Sequence, residues 1–159
     1  MAEPKTNVMR TLEKMKIPYT PHEYPHGDTA VDGQTVAALI GKEPESVFKT
    51  LVARGASKAI YVFVIPVMKE LDLKAAAKAV NEKSVEMLHV AEINPLTGYV
   101  RGGCSPIGMR KQYATIFDES ALTQNTIVVS AGKIGAQVEV EPGVLIRITR
   151  GKTASLTKE

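Results

Sequence analysis

The stretch VRGGCSPIGMR, residues 100–110, sets the chain's only cysteine among glycines and a Ser-Pro turn. A thiol attacks only as the thiolate, so it needs an adjoining base or positive charge. No histidine adjoins Cys104 in sequence, although Arg101 and Arg110 flank it. Glycines have a separate use, because without a Cβ the backbone N–H groups can approach a ligand closely. The spacing in GGCSPIG does not match the Gly-x-Ser-x-Gly nucleophile elbow. SAGKIG, residues 130–135, lacks the spacing of a phosphate-binding P-loop, and Ile134 follows Lys133 where Ser or Thr would stand. Two glycine turns remain, 102–108 and 130–135, each at the end of a predicted strand. Such positions hold binding groups on a rigid scaffold, or serve only as turns.

Lys49 raises a second question. In VFKTLVA, residues 47–53, strand alternation places Val47, Lys49, Leu51 and Ala53 on one face and Phe48, Thr50 and Val52 on the other. Both faces are apolar apart from Lys49 and Thr50, so a strand covered on both sides would hold an ammonium over a low-dielectric surface. Either the stem packs while the head reaches water, or the lysine is aimed into a pocket to meet a phosphate or polarise a carbonyl. His22 and His26 are four apart, but Pro21 and Pro25 forbid the helix that would align them as metal ligands. No Cys-x-x-Cys occurs, and neither a metal nor a cofactor is implied.

The elements that must position these residues can be read from periodicity. A helix is predicted from Thr6 to about Met15 with Val8, Met9, Leu12 and Met15 on one face, and Thr6 or Asn7 as cap. PYTPHEY reads as an edge strand or irregular segment. A second helix starts near Asp32, turns Val36, Leu39 and Ile40 inward and stops at Gly41. VFKTLVAR and AIYVFVIPV flank GASK as an antiparallel hairpin, and Asp72 caps a helix carrying Leu73, Ala76, Ala77 and Val80 inward. VEMLHVAEI fits strand or helix, and VLIRI is equally ambiguous. GYVRG, YATIF, TIVVS and AQVEV are predicted strands, and the tail GKTASLTKE is expected to fray. This order suggests an α+β fold, a mixed, curved, barrel-like sheet with flanking helices, in a single domain spanning residues 1–159.

Composition sets the outer limits. The 159 residues are 44% hydrophobic and 23% charged, with net charge +3, which excludes a nucleic-acid-coating protein while leaving a local anionic partner open. The start MAEPKTNVMR has no apolar leader core, and no apolar run approaches the roughly 18 residues needed to span a bilayer. A cytoplasmic protein without membrane association is expected.

Taken in order, VFKTLV, LDLKAAAKAV, KSVEM, TGYVRGGCSPIG and TIVVSAGK resemble the YbaK/EbsC-type aminoacyl-tRNA deacylases. These are relatives of the editing insertion domain of bacterial prolyl-tRNA synthetases. The resemblance covers nearly the whole chain. It implies a pocket for the aminoacylated 3′ end of mischarged tRNA, hydrolysis chiefly of cysteine from proline tRNA, and work alongside prolyl-tRNA synthetase. By position it implies that Lys49 holds the terminal phosphate or the ester region, with Thr50 beside it. It likewise implies that the backbone N–H of Gly102 meets the aminoacyl group, and N–H groups near Gly102 and Gly103 suit the task of stabilising a developing oxyanion. Tyr24, Ser130, Lys133 and Gln137 complete the substrate-binding set. Gln137 stands where cysteine-specific members carry aspartate, and VDGQ replaces an aromatic before the second helix.

In that family the substrate's own thiol is thought to attack its ester, so no enzyme nucleophile is required and Cys104 takes a small apolar role. Two other readings compete: a tRNA-binding or regulatory module of the same fold without turnover, and a cysteine hydrolase using Cys104.

Overall fold

The computed structural model describes residues 5–27 and 29–158. Helix α1 (Asn7–Lys14) starts where Thr6 accepts the Met9 N–H at 3.2 Å, and it buries Val8, Met9 and Leu12; Met15 falls past the helix and is exposed. Strand β1 (Thr20–Glu23) is a four-residue edge strand, as its prolines require. Helix α2 (Gly33–Ile40) is capped by the Asp32 carboxylate and ends at Gly41, whose φ of 72° suits glycine. It buries Val36 and Ala37, whereas Leu39, expected inward, faces solvent.

Strands β2 (Phe48–Gly55) and β3 (Ile60–Pro66) form the expected antiparallel hairpin, with Phe48 opposite Pro66 and Arg54 opposite Ile60. Helix α3 (Leu73–Ala79) begins at the Asp72 cap. Its buried face is narrower than expected: Ala76 and Ala77 are covered while Leu73 is exposed. The ambiguous stretch after it is both strand and helix, β4 (Val85–Met87) followed by α4 (Val90–Thr97).

GYVRG, expected as a strand, is irregular. Gly98, at φ 86°, ends α4 in a left-handed cap and turns the chain, and Gly102 repeats that conformation. Strands β5 (Ala114–Asp118), β6 (Ile127–Lys133) and β7 (Ala136–Val140) follow as anticipated. VLIRI resolves as helix α5 (Pro142–Ile148), opened by Pro142 at a position where its missing N–H costs nothing. The tail does not fray before 158. It forms β8 (Lys152–Ala154), parallel to β5, and buries Leu156, whose N–H donates to the Asp118 carboxylate at 2.9 Å.

The strands make two sheets instead of one barrel, ordered β1-β7-β6 and β4-β2-β3-β5-β8. Only the β3-β5 and β5-β8 pairs are parallel. The central hairpin is covered on both sides, which explains its nearly unbroken apolar run. Val62 and Val64 pack toward α1 and the smaller sheet, while Phe63 and Ile65 pack under α3 and Leu156.

One detail of this topology positions the site. Along the side of β2 away from β3, β4 occupies residues 53–55, with the Leu88 N–H reaching the Val52 carbonyl at 3.2 Å, and at the other end an isolated parallel bridge joins Val47, just before β2, to Val128 on β6. Between them, at Lys49, Thr50 and Leu51, no strand among the described residues pairs with this side of β2. The two sheets part there, and a cavity opens along the free edge.

Candidate functional site

The cavity has a volume of about 600 Å³, within the range of small-molecule sites. Lys49 and Thr50 reach it from opposite faces of β2, which is possible because it wraps an edge of the strand and not one face. Tyr24, just past β1, and the neighbouring pair Ser130 on β6 and Gln137 on β7 form the facing wall. Gly102 and Arg101 stand at the margin, and Val52, Leu88, Ile93 and Cys104 make an apolar end.

Two atoms mark the polar wall. The Thr50 Oγ1 and the Gln137 Oε1 are buried and have no hydrogen-bond partner among the described residues. A buried polar atom left unpaired costs on the order of 1–3 kcal/mol, so such atoms ask for an explanation. Both residues line the same cavity, and a bound molecule with hydrogen-bonding groups supplies one. Burial lowers the Lys49 pKa, partly offset by the charge of Glu70, and among the described residues its ammonium makes no hydrogen bond or ion pair.

The two glycine turns meet behind this wall. Gly103 is buried so close to the other turn that a Cβ on it would lie 2.9 Å from the Lys133 Cα. Its N–H donates to the Val100 carbonyl at 2.9 Å, which corrects the expected role: that N–H is spent inside its own turn, and Gly103 is a joint. Lys133 is also outside the cavity lining; its backbone forms the other half of the joint. Gly102 is different. It is exposed at the cavity margin with φ at 86°, and no hydrogen bond from its N–H occurs among the described residues. Tyr99 pins the loop, its hydroxyl donating to the Ile107 carbonyl and its ring lying against Gly132.

Cys104 is buried beside Val52 and Leu88. Burial pushes its thiol up to about 12, against the opposing effect of a hydrogen bond with Thr97, which favours the protonated thiol at neutral pH.

Sequence reasoning missed the carboxylate behind this wall. Glu139, two residues past Gln137 and on the same face of β7, accepts from Lys42 Nζ at 2.9 Å and from the Thr126 hydroxyl, and bonds His22 Nε2 at 2.8 Å. Polar residues at alternate positions of AQVEV were the available signal. Among the described residues no group of three or more His, Cys, Asp or Glu side chains is placed to hold a metal ion, and no helix is long and apolar enough to cross a membrane.

Residues 26–148 match the sequence profile of the family described as the aminoacyl-tRNA editing domain. The chain belongs to this family. It is 45% identical over 153 residues to EbsC of Enterococcus faecalis, described as a candidate Cys-tRNA(Pro)/Cys-tRNA(Cys) deacylase; the match covers 96% of this chain and 93% of EbsC. A solved structure described as a candidate trans-editing enzyme for prolyl tRNA synthetase superposes with TM-score 0.84 at 23% identity over the whole of both chains. The hypothetical protein APE2540 superposes with TM-score 0.85 at 21% identity over 95% of this chain and 99% of its own. At these identities the likeness to the two structures is one of fold.

The glutamate cluster gives this editing domain a defined acid sensitivity. Burial raises the Glu139 pKa, but Thr126, His22 and Lys42 outweigh it and hold the carboxyl at about 2, against 4.5 unperturbed. A carboxylate with a depressed native pKa contributes stability that is complete above the unfolded value and is lost as pH falls through the native one. The thermal midpoint is therefore expected to drop between pH 4.5 and about 2. Glu139→Gln should lower the midpoint at pH 7 and flatten that drop; an unchanged acid limb in a midpoint-against-pH series would reject this assignment.

Proposed function

We propose that this editing domain acts in trans on mischarged tRNA, cleaving the ester of Cys-tRNA(Pro) by chemistry that the substrate's thiol supplies. The observation that carries the reading is the pair of buried oxygens, on Thr50 and Gln137, that have no partner among the described residues, in a cavity that also holds the Lys49 ammonium. An aminoacyl-adenosine end offers groups for each: a phosphate for the lysine, and hydroxyl and ammonium donors for the oxygens.

In this reading the cysteinyl thiolate sulfur bonds to its own carbonyl carbon, the carbonyl oxygen becomes an oxyanion, and the Gly102 N–H donates to it. The carbon–oxygen bond to the ribose then breaks, the ribose oxygen takes up a proton, and the cyclic thioester leaves to be hydrolysed by water. A well-placed internal nucleophile acts at an effective concentration of roughly 10⁵ M or more, so the protein need only orient the ester and stabilise charge. Tyr24, Ser130 and Gln137 line the aminoacyl group, and Thr50 steadies the ester beside Lys49. Prolyl-tRNA synthetase, as a cytoplasmic partner, supplies the tRNA identity that a chain of this size has little surface to read.

The test is deacylation of cysteinyl-, alanyl- and seryl-tRNA(Pro) by the wild type and by Cys104→Ala. Cysteine-selective turnover is expected, with Cys104→Ala within about threefold of wild type, the scale of a modest wall change. Turnover of the alanyl or seryl ester at the cysteinyl rate rejects the thiol-assisted step, since neither carries a thiol. Loss of activity with Cys104→Ala would return that residue to the role of nucleophile, and tRNA binding without turnover would make the protein a non-catalytic module.

A further inference from the structure

We infer that Glu139 is a positioning residue for the cavity's polar wall, one carboxylate holding in register the four elements that supply it; this rests on the editing reading above. Each of its partners lies on or next to an element that leads to a cavity residue. His22 lies on β1, directly opposite Gln137 in the ladder and two residues before Tyr24. Lys42 follows the C-terminal cap of α2, whose first turn, with Gly33 and Val36, lines the cavity from the other end of the same helix. Thr126 precedes β6, which carries Ser130, and Glu139 itself extends β7 beyond Gln137.

The carboxylate is the hub of this arrangement. Its side chain is 13% exposed, and those of His22 and Lys42 are 17% and 31% exposed, so the cluster is shielded enough for its bonds to keep their geometry. Strands β1, β7 and β6 are already laddered into one sheet, so what the carboxylate adds is a polar tie from that sheet to α2 and a second hold on the edge strand. Strand β1 is a four-residue edge strand interrupted by Pro21, and α2 packs through a small apolar contact of Ala37 and Ile40 with Val47 and Val128. The Gln137 oxygen has no partner of its own among the described residues, so its position follows from that of its strand and of the strand beside it. Without the carboxylate, Lys42 and His22 lose their common partner, and β1 and α2 lose their shared anchor.

The full chain tests this with Glu139→Gln, Lys42→Met and the double variant, and with Glu23→Gln, an exposed residue of β1, as control. Two readouts are followed at a temperature where every variant is folded: kcat and KM for Cys-tRNA(Pro), and calorimetric affinity for a cysteinyl-adenosine amide that cannot be hydrolysed. Glu139→Gln is expected to raise KM and weaken the amide by about tenfold with a smaller change in kcat, and Lys42→Met by about threefold, the scale of coupling within one network. In the double variant the lysine change should add less than about twofold, because its partner is already gone. Glu23→Gln should match the wild type.

Amide affinity of Glu139→Gln within about twofold of wild type, or full additivity in the double variant, overturns the proposal. A wild type that binds the amide but hydrolyses nothing overturns the editing reading alone, since the affinity series still reports on positioning. A wild type that neither binds nor hydrolyses overturns both.

Discussion

Lys49→Ala is expected to lower single-turnover deacylation by about 10²- to 10³-fold, the usual effect of removing one preorganised charge from a reacting centre. Burial lowers the pKa of the lysine, the charge of Glu70 only partly offsets this, and no carboxylate or carbonyl among the described residues pairs with it. An ammonium kept in such surroundings weakens the free protein and becomes favourable when an anion arrives.

The same residue yields a stability result of opposite sign. A lysine whose native pKa lies below its unfolded value of 10.5 binds its proton less tightly when folded, so its penalty is fully present at neutral pH. That penalty is relieved as pH rises through the native pKa toward 10.5. Lys49→Met should therefore raise the thermal midpoint at pH 7 while abolishing most turnover, and it should flatten the alkaline rise in stability. Turnover within about threefold of wild type would instead mean that the head group only reaches for water and holds no substrate.

Gly102→Ala should reduce kcat by about a hundredfold, because a displacement near 1 Å at a positioned group costs that much. Two obstacles act together. The φ of 86° is a region alanine enters at a cost of about 1–2 kcal/mol, and the new Cβ would lie 2.6 Å from the Ala30 Cβ. The loop must move, and the Gly102 N–H at the cavity margin moves with it. Ala30→Gly in the same chain removes the methyl that Gly102→Ala strikes and should recover part of the rate. If the double variant is no better than Gly102→Ala, the backbone conformation alone sets the loss. If Gly102→Ala turns over normally, another group must stabilise the oxyanion. Gly103→Ala should behave differently, unfolding the joint between the turns and lowering the thermal midpoint together with activity.

Much of the secondary structure was legible because it is written locally. Thr6, Asp32 and Asp72 cap their helices as side chains of their type do. The β2-β3 hairpin follows from two β-branched runs around a short polar turn. The misreadings came from contacts the local pattern does not contain. GYVRG has the composition of a strand, but Gly98 and Gly102 take left-handed conformations and Tyr99 is pulled toward Ile107 and Gly132. The polar tail looked free because its partner, β5, lies more than thirty residues earlier. Leu39 and Leu73 keep the helical period yet stay exposed, since each short helix buries only a narrow stripe.

The candidate site divides in the same way. By itself the sequence determined which residue types were present for chemistry: a lysine and a threonine in an otherwise apolar strand, two glycine turns, a lone cysteine with no adjoining base, and an ordered set of motifs pointing to aminoacyl-tRNA editing. Only the tertiary structure decided which of them face one another. It left the edge of β2 open between β4 and β6, spent the Gly103 N–H within its turn while leaving that of Gly102 unused, buried Cys104 as a neutral thiol, and set Glu139 behind the polar wall. The physical reason is range. Caps, turns and strand alternation depend on residues a few positions apart, whereas an open strand edge, an unpaired buried oxygen and a depressed pKa arise only when distant segments pack and exclude water.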